Sequence, residues 1–395
     1  MPPIHSFLFC TLLTVIHLVN ASVTVYYQPG QAPLSTGTGT AAGALYTGAA
    51  AYDPTVLTPP AVPANQTTQF TIQLQNGGTP NVSIPQSGAF VGFSIEMSVV
   101  NQIIGKNSTL LQVPFLNLMS NIIERAGSVI VRVGGNTQET AQLVNSTSDG
   151  RILEKNKAGT FNPTNTPPLI YTSDLLYMMR NVSALANVRW FLGIPFFNIT
   201  PPQLAIAEAG QAILARTDIV PLQTYGPYDY FGELGEMVQA VNSDSNIPVK
   251  QTLIAPNLAS NWSPESVWNT GLVTSYSNNL AYLAFERYPA DNCGAQFGLG
   301  TAIDPQTVFA NYLTHTAGQQ LVSNYLNSTA YAQSVNKKLL MFETNTASCG
   351  GFPGISDSFG AALWGLDYSL QMAYSNFSGA MFHIGGQNVY YNPFT

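Results

Sequence analysis

Two kinds of hydrophobic pattern divide the chain near residue 89. In Ser22–Gln28, Val23, Val25 and Tyr27 share one face; in Thr67–Gln75, Phe70, Ile72 and Leu74 do the same. Strict alternation of this kind predicts strands of an antiparallel sheet with one wet face. Residues 29–63 between them are rich in Gly, Thr and Pro and read as loop. From Phe90 onward, short apolar runs alternate with amphipathic stretches. The runs Val91–Ser98, Val129–Gly135, Val188–Phe196, Gln251–Leu258, Tyr282–Pro289, Leu339–Thr346 and Ala380–Gly386 predict strands. The stretches Pro114–Ala126, Ser173–Leu185, Pro202–Ala215, Pro227–Ser243, Pro264–Leu280, Pro305–Val335 and Phe359–Asn376 predict helices. Ser263-Pro264 and Asp304-Pro305 supply N-cap and first-turn signals.

Apolar runs separated by helices mean βαβ units and a parallel sheet, and so an α/β fold. The pattern suits a (β/α)8 TIM barrel with one strand missing, since such a barrel needs eight and seven are visible. Two helices, Pro202–Ala215 and Pro227–Ser243, follow one another with no clear strand between. A parallel crossover requires one there. Residues 215–224 are the place for it, and their pattern is a poor strand.

The ends and the composition add the compartment. Residues 1–21 read as a signal peptide: Phe7–Val19 is apolar but too short to span a bilayer, and Val19-Asn20-Ala21 offers a cleavage site. No later segment predicts a membrane anchor. Only 8% of residues are charged, and the net charge is −7, which excludes the basic surface that nucleic acid needs. Solubility then has to come from elsewhere. Nine Asn-x-Ser/Thr sequons beyond the expected signal peptide, at Asn65, Asn81, Asn107, Asn145, Asn181, Asn198, Asn261, Asn327 and Asn376, supply it if they carry glycans. Secretion is the expectation. Cys10 leaves with the signal, so Cys293 and Cys349 remain as an even pair in an oxidising compartment. They follow the sixth- and seventh-strand runs of a full barrel, and a disulfide between them is expected. The histidines, at 5, 17, 315 and 383, show no metal spacing. Neither a metal nor another cofactor is expected, and no obligate protein partner.

In a barrel the chemistry sits where strands end. The strand ends here are polar: Glu96; Gly134-Gly135-Asn136-Thr137-Gln138; Glu286-Arg287-Tyr288-Pro289; Phe342-Glu343-Thr344-Asn345; His383-Ile384-Gly385-Gly386-Gln387. Glu343 closes a fully apolar run and is the candidate catalytic carboxylate. Glu96 is either a ligand contact or a structural acid paired with Arg132. Asn136 follows two glycines, which suits a ligand's close approach or a plain turn. Tyr288 suits the site or the core.

Four segments, Gly92–Ser98, Val131–Glu139, Phe342–Gly351 and Phe382–Gln387, resemble the fungal β-glucuronidases of glycoside hydrolase family 79, the family that includes heparanase. The resemblance runs from about Tyr26 to Thr395 with one break. It implies a (β/α)8 catalytic barrel over 89–395, after a signal peptide over 1–21 and N-terminal β-domain strands over 22–88. It implies retaining hydrolysis of terminal β-D-glucuronides, a carbohydrate substrate, with Glu343 as nucleophile. Glu96, Asn136 and Tyr288 match sugar-contacting strand ends. Gly350, Gly386 and Gln387 lie in loops that match those holding the sugar ring and its carboxylate. Two departures follow. The family's acid/base glutamate sits in an Asn-Glu-Pro motif after strand four, and this sequence has no such motif; the break falls between Leu214 and Tyr225. An incomplete attached β-domain is the second expectation. The expectation is an enzyme without its general acid, with negligible activity on unactivated glycans. A glucuronide-binding glycoprotein without turnover, and a mis-spliced inactive chain, remain as alternatives.

Expression in a secreting eukaryotic host should give a chain that starts near Ser22 and runs heavier than its sequence mass. Removal of N-glycans should sharpen and lower the band; unchanged mobility would rule out glycans on these sequons.

Overall fold

The short apolar runs become strands, and the strands close a ring. A computed structural model describes residues 53–67, 69–71, 73, 81–156, 167–197, 199–214, 218–220, 226–259, 262–386 and 389–394. The signal-peptide and first-strand expectations, residues 1–28, lie outside the described residues. The barrel strands are β1 Val91–Glu96, β2 Val129–Gly134, β3 Val188–Gly193, β4 Asp218–Val220, β5 Leu253–Leu258, β6 Leu280–Glu286, β7 Lys338–Thr344 and β8 Gly379–Ile384. All pair in parallel, and β1 pairs with both β2 and β8, so the barrel is closed. The (β/α)8 class read from the sequence is the one observed.

The place where a strand was missing holds only a stub. β4 pairs with β3 over three positions, Phe191↔Asp218 to Gly193↔Val220, and with β5 at Leu253↔Ile219 alone. Three residues are too few to show an alternating pattern, so no strand was legible there. The other barrel strands run to six or seven residues.

Two apolar layers follow from the period-2 alternation of the strands. Ile130, Phe191, Ile254, Ala284, Leu340, Phe342 and Met381 fill the ring's interior. The alternate residues, among them Val131, Leu192, Leu283 and Met341, face outward against the helices in one larger cluster. The helices around the ring include α1 Val113–Ala126, α2 Asp174–Leu185, α3 Ala205–Leu214, α4 Pro227–Ser243, α5 Pro264–Trp268, α6 Leu272–Ser275, α7 Pro305–Val308, α8 His315–Ser323, α9 Leu326–Ser334 and α10 Phe359–Tyr374. Ser263 and Asp304 cap α5 and α7 with their side chains, as expected.

Three sequence expectations change. The helix expected over Pro264–Leu280 splits into α5 and α6 at Gly271, whose left-handed backbone (φ 83°) ends one helix and starts another. The helix expected over Pro305–Val335 breaks into α7, a 3-10 turn at Phe309–Leu313, α8 and α9. The strand expected over Thr67–Gln75 is not seen: its described residues are in no strand, and Phe70 is 79% exposed. No described strand lies alongside to take its hydrogen bonds, and a strand without such pairing is not stable alone.

On α10, Phe359, Leu363, Leu366, Leu370 and Tyr374 are all at least half exposed. Their spacing of three and four places them on one helix face. Among the described residues, no helix is long and apolar enough to cross a membrane.

Cys293 and Cys349 form a disulfide, with Cα atoms 5.1 Å apart. It joins the loops after β6 and β7. A backbone bridge between Asp291 and Ser348, and Asn292 donating through Nδ2 to the Gly351 carbonyl, fasten the same two loops. The crosslinked residues are 56 apart in sequence, which in the chain-entropy picture stabilises by about 4 kcal/mol. Cys293→Ser should therefore lower the unfolding midpoint clearly, and non-reducing peptide mapping should recover the two cysteines as one crosslinked pair. Two free thiols in the folded protein would contradict this pairing.

Candidate active site

The ring interior is apolar at its base and charged at its C-terminal mouth. On β2, Ile130 belongs to the interior cluster, and two residues on, Arg132 takes the same face at 0% exposure. Its guanidinium lies over the Phe342 ring, 4.9 Å from the centroid. Nη1 donates to Ser94 Oγ on β1 at 3.2 Å, to Glu286 Oε1 on β6 at 3.0 Å and to Glu343 Oε2 on β7 at 2.7 Å. A buried guanidinium without acceptors costs several kcal/mol. Here it is held by two carboxyl groups from two strands.

Glu343 reaches this place through a local irregularity. Phe342 already faces inward, and by strict alternation its neighbour would face out. The β6–β7 pairing shifts between Phe285 and Glu286, and the β7–β8 pairing between Met341 and Thr344. Such shifts turn a side chain to the other face. Glu343 thereby meets Arg132, accepts from Tyr288 OH at Oε1 (2.9 Å), and has His383 Nδ1 3.6 Å from Oε2. Burial alone pushes its carboxyl up. His383, Arg132 and the Tyr288 hydrogen bond together outweigh that and leave it below the ordinary value.

Glu286 is the opposite case. Burial and then the charge of Glu343 push it up to about 8, against the opposing pull of Arg132 and of Asn257, whose Nδ2 donates to Oε1 at 2.6 Å. Two adjacent carboxyls share one cation, and the environment drives their proton affinities apart.

Glu96, at the end of β1, accepts from the Thr137 amide at 3.0 Å and from the Thr137 hydroxyl. No ion pair joins it to Arg132, which corrects the structural pairing expected from sequence; Arg132 turns to β6 and β7 instead. Burial raises its proton affinity. Gly135 (φ 84°) lies against it: a Cβ there would sit 2.3 Å from Glu96 Oε2, so this close approach requires glycine. Asn136 follows, half-buried, at the start of a 3-10 turn. Gly350 (φ 92°) accepts from the Tyr390 amide at 2.7 Å, and Gly386 accepts from Asn392 Nδ2 at 3.0 Å. Gln387 lies outside the described residues, as do Asn198 and Asn261. Of the other sequon asparagines, Asn65, Asn81, Asn145, Asn181 and Asn327 are exposed, and Asn107 and Asn376 are half-buried.

The candidates Glu343, Tyr288 and Glu96 thus come to one barrel mouth. Sequence reasoning passed over Arg132 as a hub, along with Glu286, Asn257 and His383. Glu286 had a signal: it ends an apolar run, as Glu343 does. Asn257 had none, since its role follows from a left-handed backbone (φ 56°) within β5.

No protein-family model matches the chain. It is 25% identical over 351 residues to a β-glucuronidase of Neurospora crassa, an alignment covering 77% of this chain and 58% of that protein. It is 30% identical over 145 residues to a β-glucuronidase of Aspergillus niger, covering 35% of this chain and 25% of that protein. The alignments thus span less than two thirds of either curated relative. Among solved structures, a 4-O-α-L-rhamnosyl-β-D-glucuronidase of Fusarium oxysporum, in complex with Rha-GlcA, aligns with a TM-score of 0.64 at 19% identity. That alignment covers 82% of this chain and 68% of the other. The chain is similar to fungal β-glucuronidases in sequence, and its fold is that of a solved glucuronidase.

The raised carboxyl of Glu286 has a consequence for stability. Unfolded, it ionises near 4.5; folded, it keeps its proton to about 8. Between those values the folded chain binds the extra proton, so stability falls as pH rises, by at most about 1.4 kcal/mol per pH unit from this group. Glu343, held low, contributes the reverse: stability present above its unfolded value and lost as pH falls through its folded one. Glu286→Gln should flatten the decline of the melting temperature between about pH 5 and 8. Parallel curves for the two proteins would show that Glu286 ionises normally.

Proposed function

We propose that the chain acts on β-D-glucuronides as a retaining glycoside hydrolase, with Glu343 as nucleophile, of the kind found in glycoside hydrolase family 79. The observation that carries this reading is the environment of Glu343. A nucleophilic carboxylate must be ionised and aimed at the mouth of the barrel. Arg132, His383 and Tyr288 favour the ionised form, and the shifted pairing of β7 turns the side chain inward. The named activity of the similar fungal proteins supplies the substrate class.

The glucuronide's carboxylate needs a receptor, and the chain has few cations to spare. The segments at residues 348–351 and 385–386 are glycine-rich and follow β7 and β8. Backbone N–H groups in such loops bind anions without Lys or Arg. Glu96 and Asn136 are read as contacts for hydroxyl groups of the ring. The chain is read as a secreted glycoprotein.

Attack proceeds by displacement at the anomeric carbon. The Glu343 carboxylate forms the new bond to that carbon, and the bond to the leaving oxygen breaks. Water then releases the glycosyl-enzyme. An activated aryl glucuronide, whose phenolate leaves without a proton, tests this half-reaction alone.

A 2-deoxy-2-fluoro-glucuronyl fluoride should inactivate the protein by labelling one peptide, that containing Phe342-Glu343-Thr344. Glu343→Gln should abolish both the label and aryl glucuronide cleavage. Labelling of another carboxylate, or persistence in Glu343→Gln, would remove Glu343 from the role of nucleophile.

A further inference from the structure

The reading above leaves the leaving group without a proton donor, since β4 ends without the glutamate its resemblance implies. We propose that Glu286, at the end of β6, supplies that proton in this chain. The proposal rests on Glu343 being the nucleophile.

Geometry puts the two carboxyls in reach of one bond. Glu286 and Glu343 are register partners on adjacent strands. Both accept from the same Arg132 nitrogen, at 3.0 and 2.7 Å, so those two oxygens are separated by no more than the sum of those distances. Retaining enzymes place their two carboxyls about 5–5.5 Å apart. The hydrogen-bond pattern also distinguishes the oxygens of Glu286. Asn257 and Arg132 both donate to Oε1, which is what a carbonyl oxygen accepts. Oε2 takes no hydrogen bond from any described residue, and it is the oxygen left to carry the proton. The Glu286 side chain as a whole keeps 10% of its surface accessible.

Charge decides which of the pair is the acid. Arg132 is the one cation bonded to both, and it cannot neutralise two carboxylates. Tyr288 and His383 flank Glu343 alone. Glu343 therefore holds the negative charge, and Glu286 holds the proton. Five other glutamates near the mouth or the sequence break are otherwise engaged or remote. Glu96 accepts from the Thr137 amide and hydroxyl. Glu139 accepts from the amides of Phe196 and Phe197. Glu208 lies on α3, and Glu233 and Glu236 on α4, all partly exposed on the outer helices.

The shared cation also drives the return step. When Glu343 bonds to the anomeric carbon it becomes an ester and loses its charge. Arg132 then faces Glu286 alone and favours its carboxylate. In the first step the glycosidic oxygen takes the bonding pair and the Glu286 proton. In the second, the Glu286 carboxylate takes a proton from water, the water oxygen bonds to the anomeric carbon, and Glu343 departs as carboxylate. The same residue is acid and then base, and the group that switches it is fixed in place.

The test is the leaving-group dependence of aryl β-glucuronide cleavage by the full chain, in the wild type, Glu286→Gln and Glu96→Gln. Gln at 286 keeps an oxygen for Asn257 and Arg132 but has no proton to transfer. Glu286→Gln should lose about 10²–10⁴-fold on phenyl glucuronide. It should still be labelled at Glu343 by the fluoro-sugar, and should still release dinitrophenol from the dinitrophenyl glucuronide in a burst. Azide should then restore its turnover and yield glucuronyl azide, and the basic limb of the wild-type pH profile should vanish. Retained labelling shows that the variant is folded. Labelling with a leaving-group dependence equal to that of the wild type overturns the proposal, as does the same pattern of loss and azide rescue in Glu96→Gln instead. A wild-type chain that is not labelled at Glu343 fails the functional reading and the proposal with it.

Discussion

The mouth of the barrel is organised around one buried guanidinium. Arg132 has no water to solvate it, so the ring must supply acceptors, and it draws them from β1, β6 and β7. That requirement fixes the heights of those strands relative to one another. The ring of Phe342 beneath Arg132 and the inward turn of Glu343 above it meet the same constraint from two sides. Removing Arg132 would leave two buried carboxyls without their common cation. Truncating one partner of a buried charge group of this sort typically costs about 3–5 kcal/mol.

Most of the architecture was legible because its signals are local. Proline at a first helical turn and a capping Ser or Asp before it placed the starts of α5 and α7. Apolar runs of six or seven residues placed seven strands. The failures were also physical. The left-handed backbone at Gly271 breaks a continuous amphipathic pattern without changing its hydrophobicity. β4 is shorter than the window in which a pattern can be recognised. Thr67–Gln75 alternates like a strand, but pairing depends on a neighbour that the segment itself does not encode.

The site was legible in part, and the division is instructive. Glu343, Glu96 and Tyr288 stand at strand ends, and a strand end is visible in one segment of sequence. The link from Arg132 to Glu286 and Glu343 joins residues more than 150 positions apart, and no single segment carries it. The pairing shift at β7 is likewise a property of three strands together. What the sequence could not show, therefore, is which acids share a cation, and that is what sets their protonation.

The apolar stripe on α10 bears on how this protein behaves in the hand. Five large side chains along one turn-to-turn line form a contiguous greasy surface of the sort that single scattered residues do not. With only 8% of residues charged, colloidal repulsion between molecules is weak, and little opposes self-association through this face. The stripe is presented directly to chromatography resins, to tube walls and to other copies of the chain.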